Sequence, residues 1–418
     1  MKKRKLYPKL LKEKNKKEIS IIIGARQVGK TTILKELQKE ISNTNKTLFL
    51  DLDIISNLEK IQSFETTINY LKLNGYEENQ KDFFYLFLDE FQRYKDISIL
   101  MKNIYDNTNN IKIYATGSSS LQIKNSIQES LAGRKKINYL YPLDFEEFLW
   151  FKENEETIKF YNNMPKVKGE NISIGKIKTY LEEFMIYGSY PAVVLSKKIE
   201  EKKEKLNNIF DLYIKKELVE YLAIKKILGA KKVIEYLAIN NGQKTQFEEI
   251  TNSCELSVYE VKQFIEILNE TFITIELRPF FTNKNKELVK MPKIYFIDNG
   301  VRNYFINNFN PTKLRSDVGF LFEGFIISEL LKSNIKNLKY WQNKKKQEVD
   351  IIIDNVSEQI AIEIKHKEKL KKEDYKNLDV FKEEYSKSKL KLINLGIQKI
   401  KENKEILIGI NFTNRISK

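Results

Sequence analysis

The stretch Ile19-Ser-Ile-Ile-Ile23-Gly24-Ala25-Arg26-Gln27-Val28-Gly29-Lys30-Thr31-Thr32 decides the fold of the amino-terminal region. Ile21, Ile22 and Ile23 form an unbroken apolar run, the pattern of a strand buried on both faces of a parallel sheet. Ile33, Leu34, Leu37 and Ile41 then recur at helical spacing. Between strand and helix lies a loop with glycine at 24 and 29, then lysine and threonine. Glycines let backbone wrap a polyphosphate, with N–H groups turned inward at a helix N-terminus. The expected cradle is Gly24, Ala25, Arg26, Gln27, Val28, Gly29, Lys30, Thr31 and Thr32. Lys30 is expected to reach the β- and γ-phosphates, and the Thr31 hydroxyl to help hold Mg²⁺. The competing reading is a glycine turn beside an unrelated lysine, and it leaves both flanks unexplained.

A loop of this kind needs a second, acidic site for its metal. Phe83-Phe-Tyr-Leu-Phe-Leu88 is a continuous apolar strand ending in Asp89-Glu90. Asp89 is expected to hold Mg²⁺ through water, and Glu90 to polarise the attacking water as general base. A third strand, Ile111 to Ala115, ends in Thr116-Gly-Ser118-Ser-Ser120. Ligands gather at the carboxyl ends of parallel strands. A hydroxyl there, Thr116 or Ser118, is the candidate sensor of the γ-phosphate; the alternative is a serine-rich turn capping a helix from Leu121. Thr47–Asp53 and Asn138–Leu143 read as further strands of an α/β sandwich, with Asp51 and Asp53 as solvated strand-end acids. Guanine recognition is disfavoured: the nearest strings to Asn-Lys-x-Asp, at Asn283 and Asn343, lack the carboxylate.

The loop, Asp89-Glu90-Phe-Gln-Arg93, Thr116–Ser120, Leu131-Ala-Gly-Arg134 and Tyr141-Pro-Leu-Asp-Phe-Glu-Glu-Phe148 together resemble a particular group of proteins. These are the AAA-type P-loop ATPases of bacteria and archaea whose C-terminal half carries a domain of unknown function. The resemblance implies ATP binding and Mg²⁺-dependent hydrolysis. Arg134 sits where the group has its Gly-Arg, which implies an arginine finger or sensor in cis or in trans; a structural ion pair is the alternative. Arg26 and Arg93 read as solvated or ion-paired. AAA-type relatives often form rings, so an oligomer is open. The helical stretch from Asp144 to about Leu228, broken by Gly188-Ser-Tyr-Pro191, resembles the group's lid, which would convert hydrolysis into movement.

Further on, Lys231–Asn240, Phe247–Ser253 and Ser257–Asn269 read as helices, and Phe272–Phe281 and Leu288–Ile297 as two strands. Three helices and a hairpin give the order of a winged helix. Its third helix carries Glu260, Lys262 and Glu266, with no net positive charge. The hairpin carries Lys284, Lys286, Lys290 and Lys293, so phosphate contact would fall there. DNA contact and protein contact both stay open for this domain.

After Pro311 a second α/β pattern begins. Glu323 falls in a helix, Asp350 near the start of one strand, and Glu363-Ile-Lys365 at the end of the next. This skeleton resembles the PD-(D/E)xK nucleases. Asp350 and Glu363 are expected to bind a second Mg²⁺ or Mn²⁺, Lys365 to orient water, and Glu323 to add a ligand or a supporting contact. His366 reads as an incidental surface residue.

The 418 residues carry a formal charge of +16, which points to an anionic partner, nucleic acid ahead of a membrane surface. One cysteine and one histidine exclude an internal disulfide and a His-paired metal centre. Lys2, Lys3, Arg4 and Lys5 open the chain without a signal-like apolar stretch behind them, and no run approaches the ~18 apolar residues of a membrane span. A soluble, cytoplasmic protein is expected. The expected plan is α/β throughout: a P-loop ATPase core over 1–145, a helical lid over 146–228, a winged-helix-like domain over 229–310 and a nuclease-like domain over 311–418. Two functions fit: an ATPase acting on DNA with a metal-dependent nuclease, or an ATP-driven switch with an inert nuclease-like fold and protein partners.

Overall fold

Ile19–Ile23 (β1) is wholly buried and lies between two parallel neighbours, Ile111–Gly117 (β4) and Lys135–Tyr139 (β5). Thr47–Asp51 (β2) and Phe84–Asp89 (β3) complete a five-stranded parallel sheet in the order β2-β3-β4-β1-β5. This is a computed structural model, described for residues 4–418 except 119–128, 154, 164–171, 214–223, 284, 286, 288–289, 356–357, 397–398, 402–403, 410–411 and 417–418. Its contacts divide it into two units, Met1–Leu143 with Glu270–Phe272, and Asp144–Asn269 with Ile273–Lys418.

In the first unit, register positions the chemistry. Ile22 pairs with Thr116, Leu88 with Ala115 and Asp51 with Asp89, so the carboxyl ends of β1, β3 and β4 come level at one edge. The apolar runs are buried on both faces because helices such as Lys30–Ile41 and Ile97–Asn107 make the crossovers of a parallel sheet. The Phe87 and Tyr114 rings stack at 5.3 Å, and the Tyr114 hydroxyl donates to the Leu10 carbonyl at 2.9 Å. One strand lies elsewhere than its sequence suggests. β5 begins at Lys135, three residues before the expected Asn138, because Ile19 pairs with Lys135 and Ile23 with Tyr139. Two lysines at the strand's start hid its pattern.

In the second unit, the stretch expected as a lid is built around aromatic contacts with the C-terminal helix. Asp144 and Glu147 form a capping box that starts the helix Phe145–Lys152. Phe145 and Phe184 pack edge-on against Phe325 at 6.0 and 5.4 Å, and the Phe145 N–H donates to Glu329 at 3.0 Å. Residues 146–228 are therefore no separate body: aromatic burial knits their described part to the helix Val318–Lys332.

The helices Ile224–Ile239, Phe247–Cys254 and Val258–Glu270 precede Thr274–Pro279 (β6), antiparallel to Lys293–Phe296 (β7). The winged-helix order is present, but the hairpin does not stand alone. β6 pairs parallel with Leu338–Gln342 (β8) at Arg278–Lys339 and Pro279–Tyr340. Glu348–Asp354 (β9), Gln359–Ile364 (β10), Lys389–Asn394 (β11), Lys399–Lys401 (β12) and Lys404–Ile408 (β13) extend this to eight strands in the order β12-β13-β11-β10-β9-β8-β6-β7. The expected boundary at 310/311 thus does not separate two sheets: an open hairpin edge is covered by pairing, as unpaired edges usually are. Phe280, Trp341, Val349, Ala361, Leu378 and Phe381 share the apolar core that seals this junction.

Candidate functional site

The loop after β1 is shaped by two glycines. A Cβ on Gly24 would lie 2.1 Å from the Leu140 carbonyl oxygen, so only glycine lets β1 leave the sheet beside β5. Gly29 has φ +98° and Gln27 φ 62°, which curl the loop into the helix Lys30–Ile41. The Lys30 ammonium is buried against the loop itself, donating to the Gly24 and Ala25 carbonyls at 3.0 and 2.9 Å. Val28 is buried, while Gln27 and Thr32 are exposed and Arg26 and Thr31 are half-buried.

Across the same edge, Asp89 is 1% exposed and hydrogen-bonded by the hydroxyls of Thr116 and Thr31. Burial raises its pKa, the two hydroxyls lower it, and nearby Glu90 and Asp51 raise it further. The lysine-tipped loop and the acidic strand end therefore share one site. Glu90 adopts a left-handed backbone at φ 51°, a strained setting that clusters at functional sites. Its N–H donates to the Thr116 hydroxyl at 3.3 Å, and its carboxylate accepts from the Gln92 amide. The Gln92 oxygen accepts from the Ser118 N–H at 3.1 Å. Of the two sensor candidates, Thr116 brings its hydroxyl to the acids, whereas Ser118 is held through its backbone. Ser119, Ser120 and the helix expected from Leu121 lie outside the described residues.

Arg134 corrects one expectation. The Ile19 N–H donates to the Arg134 carbonyl at 2.9 Å, which puts Arg134 at the amino end of β1, opposite the phosphate loop. Strand rise makes that separation about 13 Å along β1, and the guanidinium is engaged by Asp106 at 2.6 Å. It cannot serve the loop of its own chain. Arg93 pairs with Asp53 at 2.5 Å, as the ion-paired reading has it. Arg4 gave no sequence signal, lying 24 residues before its partner in a basic run. Its guanidinium, 6% exposed, donates to the Val28 carbonyl at 2.7 Å and the Tyr141 carbonyl at 2.8 Å, fastening the loop to the segment after β5.

In the second unit, Glu323, Asp350, Glu363 and Lys365 come together, and β7 adds Lys293 and Tyr295. The β9–β10 register runs as far as Ile362 with Ile351, and Glu363 and Asp350 are the adjoining residues on the two strands. Asp350 accepts from the Ile364 N–H at 2.7 Å, and Lys365 pairs with Glu363 at 2.6 Å. Lys293 pairs with Glu348 and stands 3.9 Å from Glu323, which also accepts from the Tyr295 hydroxyl. The remaining Glu348 oxygen accepts from Gln342 at 3.1 Å. Glu363 is 2% exposed, and its Oε2 is buried with no hydrogen-bond partner. Burial and mutual repulsion raise the pKa of Asp350 and Glu363, and raise that of Glu323 to about 8; Lys293 and Lys365 counter this only in part. An orphaned, buried carboxylate oxygen beside a second carboxylate fits a hard divalent cation, since Mg²⁺ is commonly held by one or two carboxylates with water completing the shell. No group of three or more His, Cys, Asp or Glu converges to hold a metal among the described residues; Glu323 and Glu348 are turned to Lys293.

Two further expectations change. Lys293, assigned to phosphate contact, is 4% exposed and spent on acids, while Lys284 and Lys286 lie outside the described residues. His366 is half-buried, its ring edge-on to Phe322 at 5.3 Å, and burial lowers its pKa. Among the described residues, no helix is long and apolar enough to cross a membrane.

The parallel sheet with its glycine loop and acidic strand end resembles P-loop NTPase folds. The family comparisons agree. Residues 16–149 match the family described as an AAA domain, 178–312 a domain of unknown function (DUF8612) and 318–413 a domain of unknown function (DUF4143). The chain carries an AAA domain followed by a DUF4143 domain. Two uncharacterised proteins of Methanocaldococcus jannaschii, MJ1637 and MJ1544, are 25% identical over 68% of this chain and 26% over 80%. The aligned region spans 62% of the first and 72% of the second. Among solved structures, the Thermotoga maritima RuvB Holliday junction branch migration motor aligns at 16% identity and TM-score 0.31, covering 69% of this chain and 94% of that one. Cdc6p of Pyrobaculum aerophilum aligns at 12% identity and TM-score 0.27, covering 75% and 96%.

Proposed function

We propose that this protein is a cytoplasmic, Mg²⁺-dependent ATPase acting on or with DNA, whose C-terminal domain cleaves phosphodiesters with a divalent metal. The observation that carries the ATPase is the meeting of Lys30, Thr31, Asp89 and Glu90 at one sheet edge. Lys30 exchanges the Gly24 and Ala25 carbonyls for the β- and γ-phosphates. Thr31 and Asp89, already hydrogen-bonded, would hold Mg²⁺, which would supply neutralisation of phosphate charge. Glu90, released from Gln92, takes a proton from the attacking water. Arg134, paired with Asp106 at the far end of β1 from its own loop, is the candidate finger for a neighbouring copy's nucleotide in an oligomer.

The nuclease reading rests on the free Glu363 oxygen beside Asp350, with Lys365 next to it. Asp350 and Glu363 would hold Mg²⁺ or Mn²⁺, which activates water when bound. Lys365 orients that water, and DNA is the partner favoured by the +16 charge.

Supercoiled plasmid with Mn²⁺, with and without ATP, tests this together with ATP hydrolysis in the presence and absence of duplex DNA. Nicking lost in Lys365→Ala and kept in Lys30→Ala is expected. The second reading is an ATP-driven switch with an inert C-terminal fold and protein partners. It is favoured by the third helix, where Lys262 lies over Phe247 and Glu260 caps Ser257. No cleavage and no DNA stimulation would select it.

A further inference from the structure

Four carboxylates surround the C-terminal site, yet they are not equivalent. Glu348 has both oxygens engaged, one by the Lys293 ammonium and one by Gln342 at 3.1 Å. Gln342 is itself held by Lys244. Glu323 accepts from Tyr295 and faces Lys293 at 3.9 Å. On the other side, Glu363 keeps a buried oxygen without a partner, and Asp350 accepts from the backbone N–H of Ile364. Lys293 and Tyr295, two apart on β7, both point toward the Glu323 and Glu348 half.

We propose that Lys293, delivered by the hairpin strand β7, is a built-in cation that occupies the place of a second metal ion. The C-terminal site then takes one divalent cation, held by Asp350 and Glu363. This rests on the reading of that site as a metal centre. Formal charge supports it. Four carboxylates against two ammonium groups, Lys293 and Lys365, leave −2, which one divalent ion cancels and two would overshoot. A fixed ammonium also needs no capture from solution, so Glu323 and Glu348 stay positioned whether or not metal is present. Lys293 is a positioning residue that acts through the carboxylates of Glu323 and Glu348.

The test is Mn²⁺ titration by calorimetry of the full chain without nucleotide, every protein compared carrying Asp89→Asn so that the Thr31–Asp89 site is not counted. One ion per chain is expected in the wild type, two in Lys293→Met, and one in Lys293→Arg, which restores the charge. Two ions in the wild type, or still only one in a folded Lys293→Met, would overturn the inference. No ion bound by the wild type would sink the metal-centre reading itself; one ion in the wild type and none in Glu363→Gln upholds that reading, whatever Lys293→Met shows. Should Lys293→Met fail to fold, electron paramagnetic resonance of saturated wild type decides. An isolated Mn²⁺ signal supports the proposal, and a spin-coupled pair refutes it.

Discussion

The two candidate sites use the same residue types in opposite ways. In the AAA domain, cation and anions are kept apart: Lys30 rests on two backbone carbonyls, while Asp89 and Glu90 are held by hydroxyls and an amide. In the C-terminal domain, lysine and acid are bonded directly, Lys293 to Glu348 and Lys365 to Glu363. A site with separated charges suits a ligand that itself carries both, such as a metal-bound triphosphate. A site with paired charges and surplus acid suits a small cation. The difference teaches that ligand class can be read from how a site's own residues satisfy its charges.

The comparison breaks most visibly at Glu90. Glu90→Gln is expected to retain ATP while slowing turnover by about 10²–10⁴-fold, measured by single-turnover hydrolysis; normal turnover would remove the general base from the scheme. Lys30→Ala should lose nucleotide capture as well, which filter binding separates from the chemical step.

Next comes the backbone that holds Lys30. Gly24→Ala puts a methyl against the Leu140 carbonyl and should cost about 1–3 kcal/mol of stability through overpacking. A melting curve unchanged by this substitution would mean the loop relaxes freely. Arg4→Ala removes hydrogen bonds to Val28 and Tyr141 and should weaken ATP binding by about tenfold, roughly the 1.4 kcal/mol expected from one such charged bond.

The smallest effect sharpens the acidic half of the contrast. Glu323, Asp350 and Glu363 have raised pKa values in the folded chain, so between the usual carboxylate range and about pH 8 the native state binds more protons than the unfolded one. The contribution of these three groups to stability is fully present below pH 4 and is lost as pH rises toward 8. The melting temperature should drop by several degrees across that window, and Mn²⁺ or Glu363→Gln should flatten the drop. A flat profile in the wild type would show that Lys293 and Lys365 already balance the acids.

Much of the nucleotide site was legible because one short run carries it: an apolar strand, a glycine loop and an amphipathic helix each have their own period. Asp89 and Glu90 were equally plain, ending an apolar strand. What escaped was set by long-range pairing. Arg134 reads equally as an arginine finger or as an ion pair until the register of β5 with β1 shows which edge it occupies. Lys293 looks like one basic residue among several in a hairpin, and only β6 joining β8 turns it inward. Arg4 meets Tyr141 across 137 positions, with no periodicity to announce it. Asp350, Glu363 and Lys365 stood out because Glu363 and Lys365 sit two apart at the end of one strand and Asp350 lies near the start of the strand before it.

The continuity of β6 with β8 has a practical corollary. A chain cut after Asn310 would strand the hairpin: Phe280 would lose the carbonyl of Tyr340, and a buried ammonium at position 293 would have no acid within reach. The helices and hairpin before the cut are thus poor candidates for an autonomous module, and dissecting this protein by truncation would report misfolding before it reported function.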